Sequence, residues 1–155
     1  MNLRPDQLEF IRRCALTGAR GIRNDGRECA PMLLLFNSRP DGDLGDVAAI
    51  SLAGSTKDEW ARLQQRFARA PDIAAAVLIV EAWQSLIPPG ADVPATTEGD
   101  PDREEVLMVN VLSDRAQWLL TAPIDGRTIH DAPLKQINTG GAERMEGRFI
   151  REATP

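Results

Sequence analysis

The 155-residue chain has no tyrosine, one histidine, two cysteines, and only Lys57 and Lys135 beside its many arginines. Each scarcity excludes something. His130, followed by Asp131 in a Gly/Pro-rich tail, has no companion ligands at the spacing a metal site needs. Cys14 and Cys29 form no Cys-x-x-Cys, and they read as free thiols of a reducing compartment. A Gly-x-Ser-x-Gly elbow and a Gly-rich phosphate loop are both missing. No run approaches the ~20 apolar residues of a membrane helix. Arg4, Asp6 and Glu9 stand where a secretory leader would be apolar. These absences point to a cytoplasmic protein with no membrane association, no cofactor, no metal and no indicated small-molecule ligand. The arginine excess and the lack of tyrosine read as compositional bias and carry no function.

What is present is ordinary for one globular domain: 43% hydrophobic and 26% charged residues. The net charge of -5 is local. It is matched by Asp92, Glu98, Asp100, Asp102, Glu104 and Glu105 against the single base Arg103, while the rest of the chain balances. A body without excess positive charge argues against nucleic-acid binding. Arg62, Arg66 and Arg69 share a helical stripe, but no aromatic residues interleave with them, so the stripe reads as a wet helix face.

Apolar periodicity sets the elements. Pro5 suits a first helical turn, and Leu8, Ile11 and Ala15 recur at helical spacing, with Gly18 and Gly21 bracketing the helix end. Met32–Phe36 is a short apolar run bounded by turn residues, a strand buried on both faces. Val47–Leu52 follows after Pro40-Asp41-Gly42 and forms a hairpin with it. Ser55 caps a second helix, which docks by Trp60, Leu63 and Phe67 and stops at Pro71. Ala74–Trp83, Glu105–Leu112 and Gln117–Ala122 are three more strands. The order α-β-β-α-β-β-β leads to an α+β fold, a mostly antiparallel five-stranded sheet with both helices on one face. Residues 1–125 form the domain, and 126–155 are a C-terminal extension that is partly ordered or wraps it.

Glu81 is the residue that stands out, because it interrupts an apolar strand and must be solvated or paired. Beside Arg103 it would make an ion pair. Beside Asp102 and Glu104 it would make a carboxylate cluster fit for a divalent cation. Asp72 followed by Glu81-Ala82-Trp83 resembles the layout of restriction-type nucleases, with Trp83 where the family places its lysine. That departure removes the group expected to orient water. The long loop between the strands, Pro88 to Pro101, is of the kind that carries binding on a rigid sheet.

Glu81-Ala82-Trp83, the loop, and then Pro101-Asp102-Arg103-Glu104-Glu105-Val106 resemble a pattern in short uncharacterised phage and bacterial proteins. The resemblance spans the middle third of the chain. It implies a small accessory protein and assigns no activity. The leading expectation is a non-enzymatic protein-interaction module, whose partner is another protein or a second copy of itself. Its contact residues would be Trp83, Asp100, Asp102, Arg103, Glu104 and Trp118. The alternative is a metal-dependent hydrolase using Glu81, Asp102 and Glu104.

Overall fold

A computed structural model describes residues 2–84 and 101–137. Helix α1 (Pro5–Asn24) buries Gln7, Ile11, Ala15, Leu16 and Ala19, a stripe repeating every three to four residues. Its start is tied down twice. The Arg4 N–H donates to Gln7 Oε1 at 2.9 Å, and Gln7 Nε2 donates to the Gly42 carbonyl at 3.1 Å. The helix continues past Gly18 and Gly21 to Asn24. An interior glycine costs about 1 kcal/mol. Ile22, packed against the core, and Arg23, paired to the sheet, outweigh that cost.

Strands β1 (Met32–Ser38) and β2 (Leu44–Ser51) form the expected hairpin. Helix α2 (Lys57–Ala68) is capped one residue later than expected. Thr56, not Ser55, accepts the Glu59 N–H at 3.2 Å. Strands β3 (Ile73–Gln84), β4 (Glu104–Leu112), β5 (Gln117–Asp125), β6 (Thr128–Ile129) and β7 (Lys135–Ile137) complete one sheet. Its order is β2-β1-β3-β4-β5-β6, with β7 also on β5, and every pairing is antiparallel.

The α+β class and the antiparallel sheet are as expected, but two details of the expected architecture are corrected. Among the described residues the sheet has seven strands rather than five, because Thr128–Ile129 and Lys135–Ile137 of the C-terminal extension pair with β5. The two helices also lie on opposite faces rather than one. Successive side chains of a strand point to opposite sides. Leu33, Leu35, Ala76, Leu78 and Val80 gather with Trp60 and Ala68 of α2. Phe36, Ala75, Val77, Ile79, Leu107 and Val109 gather with Ile11, Ala15 and Leu16 of α1. Strand β3 is buried without a break from Ala74 to Val80, which requires a layer on each side.

The described part of the C-terminal extension joins this core. Ile129 and Ile137 are both buried. A buried amide set links α2 to the sheet: Gln64 Nε2 donates to the carbonyls of Ala76 at 3.1 Å and Asn110 at 2.8 Å, and Gln117 Nε2 donates to Asn110 Oδ1 at 2.9 Å. Among the described residues, no helix is long and apolar enough to cross a membrane.

Candidate functional site

The far end of the β3–β4 hairpin brings together most of the residues singled out by sequence. Trp83 pairs with Glu105 and Gln84 with Glu104 across the two strands. Alternation therefore puts Glu81, Trp83 and Glu105 on the α1 face, and Gln84 and Glu104 on the other.

Glu81 does not pair with Arg103. Arg23, in the last turn of α1, grips it with two parallel bonds, Nε to Oε1 at 2.8 Å and Nη2 to Oε2 at 2.8 Å. The same guanidinium bonds Glu105, and its Nη1 donates to the Gly126 carbonyl at 3.0 Å. The Cys29 N–H donates to Glu81 Oε1 at 2.7 Å. Gly126 turns back from β5 to β6 with φ 61°, a left-handed conformation that costs glycine little. The Glu81 and Arg23 side chains are only 11% and 12% exposed, so neither charge is left to water. A fork-to-fork guanidinium–carboxylate pair with a further backbone donor satisfies the buried carboxylate, which is what its burial requires. Beside this charge pair Cys29 is buried, and both burial and Glu81 push its thiol pKa above the ordinary value.

Glu81 therefore does not join Asp102 and Glu104 in a carboxylate cluster. Glu104 lies on the opposite face, where Gln84 Nε2 reaches it at 3.5 Å, and Asp102 precedes β4 in an exposed turn. Nor does it meet Asp72. One continuous strand separates the two, and nine residues at about 3.3 Å each hold them roughly 30 Å apart. Among the described residues, no group of three or more His, Cys, Asp or Glu side chains could hold a metal ion.

Next to the Arg23 cluster, the Arg103 guanidinium lies 4.5 Å from the centroid of the Trp83 ring. Trp83 remains 49% exposed. Asp100 lies outside the described residues. Trp118 is elsewhere. It aligns with Val111 and through it with Val77, six residues along β3 from Trp83, so the two tryptophans form no shared patch.

Trp118 instead floors a cleft of about 740 Å³ between α1 and the segment leading into β7, walled by Pro5, Leu8, Pro133 and Leu134. Arg12 clamps this wall. It holds Glu9 through Nε and Nη2 at 2.8 and 2.7 Å and also bonds Asp131. The bonds from Arg12, with help from Arg13, hold the Glu9 carboxyl at about 2. His130 is exposed.

Sequence reasoning missed Arg23 as the partner of Glu81, because Gly18 and Gly21 read as the helix end and leave Arg23 outside the helix. A lone acid in an apolar strand signals that a cation must reach it. Sixteen arginines left that cation unnamed. No protein-family model, curated protein or solved structure matches the chain.

Proposed function

We propose that the protein is a non-enzymatic interaction module that binds a protein partner at the end of its β3–β4 hairpin where β3 finishes at Gln84 and β4 begins at Glu104. The observation that carries this reading is Trp83, half exposed and stacked under Arg103 at 4.5 Å. A water-exposed indole is costly to keep, and tryptophan and arginine are the residue types that dominate binding energy at protein interfaces. The stacking holds the ring in place before a partner arrives, so little side-chain entropy remains to be lost on binding. The partly buried Arg23–Glu81–Glu105 cluster beneath it ties the hairpin end to α1. Asp102, exposed just before β4, and Glu104, exposed on the reverse face of the same hairpin end, make that end acidic and favour a partner surface carrying basic residues. The likeness to short phage and bacterial proteins supports an accessory role. A metal-dependent hydrolase built on Glu81, Asp102 and Glu104 gains no support from an arrangement in which Arg23 already occupies Glu81.

The test is photo-cross-linking in cells from a reactive side chain at Gln84, with Arg66 on the exposed side of α2 as control position. A discrete adduct is expected from Gln84 only. It should disappear in Trp83→Ala and weaken in Glu104→Lys. Adducts that survive both substitutions would end the reading.

A further inference from the structure

A lateral edge of the sheet carries a second, independent surface. Among the described residues, β2 ends the sheet, with nothing paired to its outer side. The Leu52 N–H donates to the Pro31 carbonyl at 2.9 Å, and the register continues Leu33↔Ile50 and Leu35↔Ala48. Hydrogen-bonded pairs alternate in an antiparallel ladder. Ile50 and Ala48 therefore spend their N–H and C=O groups on β1. Val47, Ala49 and Ser51 point theirs outward.

Natural sheets usually blunt such an edge with lysine, proline or a covering segment. From Val47 to Ser51, β2 has no charge and no proline, and Val47, Ala48, Ala49 and Ser51 are all exposed. Its α1 face is apolar up to the rim. Helix α1 runs beside the β1–β2 hairpin rather than over it. Phe10 meets Phe36 edge-on at 6.3 Å, and Val47 is the cross-strand neighbour of Phe36. Of the three large apolar side chains exposed among the described residues, Phe10 at 49% and Val47 at 45% belong to this one strip.

We infer that β2 pairs antiparallel with β2 of a second copy of this chain, about a two-fold axis at Ala49. The outward groups choose that register. Val47, Ala49 and Ser51 are symmetric about Ala49, so Val47 bonds Ser51 of the second copy, Ala49 bonds Ala49, and every outward donor finds an acceptor. On the α2 face Ala48 then stands opposite Ile50, an apolar pair that a pleated edge accommodates. Charge selects the same arrangement. Asp46 is the one ionised side chain of β2. An in-register parallel pairing would set it against its own copy, whereas the antiparallel one separates the two carboxylates by about six residues, roughly 20 Å. The product is one continuous sheet through both copies, with the hairpin ends bearing Trp83 left outside the contact. The inference therefore stands apart from the proposed partner site.

Sedimentation of the full chain, with residue-resolved amide exchange, tests it. The wild type is expected to sediment at twice 17.0 kDa at about 100 µM, and its dissociation constant should rise at least tenfold in Val47→Lys and in Ala49→Pro. In the dimer the amides of Val47, Ala49 and Ser51 should become as slow to exchange as those of Ala48 and Ile50, a readout that needs no variant. A monomeric wild type at that concentration overturns the inference. So does a dimer whose β2 outer amides exchange freely, or one indifferent to both substitutions. Trp83→Ala should stay dimeric. If it alone dissolves the dimer, copies meet through the hairpin end and β2 is not the contact.

Discussion

Glu81 shows how a single charge in an apolar strand organises what surrounds it. Its carboxylate has lost most of its water and depends on Arg23 and the Cys29 N–H. Removing one member of such a pair strands the other, a loss of about 3 kcal/mol or more when both are well buried. Glu81→Gln and Arg23→Ala are therefore each expected to lower unfolding stability in urea by about 3 kcal/mol. The double variant should fall well short of the sum, because the second change removes a charge already unpaired. Glu9 behaves differently, since it lies at the surface and solvent screens it. Its folded-state value of about 2 lies below the ordinary 4.5. A depressed carboxyl stabilises the fold at pH above its unfolded value, and that contribution fades as pH falls from about 4.5 towards 2. Glu9→Gln should thus be less stable than wild type at neutral pH and indistinguishable from it near pH 2, as read by thermal melts across that range.

At the scale of elements, α2 illustrates why capping and burial act separately. Thr56 satisfies a first-turn N–H, and Thr56→Ala is expected to cost about 1 kcal/mol with no change in the rest of the fold. Gln64 does something the hydrophobic pattern conceals. It lies on the apolar stripe between Trp60 and Phe67, is 1% exposed, and donates both amide hydrogens to sheet carbonyls. Gln64→Leu keeps the size but leaves those carbonyls with fewer donors and disturbs the amide set that includes Asn110 and Gln117. A loss of about 2 kcal/mol follows, measurable as a lower urea midpoint at unchanged slope. Helix α1 is set by its tertiary partners as much as by propensity, since its last two turns contain two glycines and are anchored by Ala19, Arg20, Ile22 and Arg23.

The whole molecule is a sheet covered unevenly. Each helix covers part of one face, and the short strands β6 and β7 close the side of β5. Ile137, 2% exposed at the end of β7, is as buried as the central strands. Ile137→Ala is expected to cost about 3 kcal/mol, as a core truncation does, and a loss under 1 kcal/mol would show that β7 is a detachable appendage. Two surfaces of the sheet differ in kind: the strand ends of the central pair β3 and β4 carry a charged and aromatic group, whereas the lateral edge strand β2 is unblunted.

Elements governed by local pattern were legible from sequence alone. Pro5, the apolar spacing of α1, the aromatic stripe of α2 and the runs of β1 and β3 each encode their own conformation within a few residues, and together they fix the α+β class. The short strands β6 and β7 were not legible, because two or three residues carry no periodicity and form only when β5 offers its edge. The placement of the helices depended on which strand face each stripe meets, a relation between segments far apart in the chain. The same holds for the site. The sequence marks Glu81 as a charge in need of a partner and Trp83 as an aromatic at a strand end. Only the fold selects Arg23 from sixteen arginines, sets Glu104 on the opposite face, parts Trp118 from Trp83, and puts β2 at an edge of the sheet. Pattern is a property of neighbours along the chain, whereas pairing, facing and exposure are properties of neighbours in space.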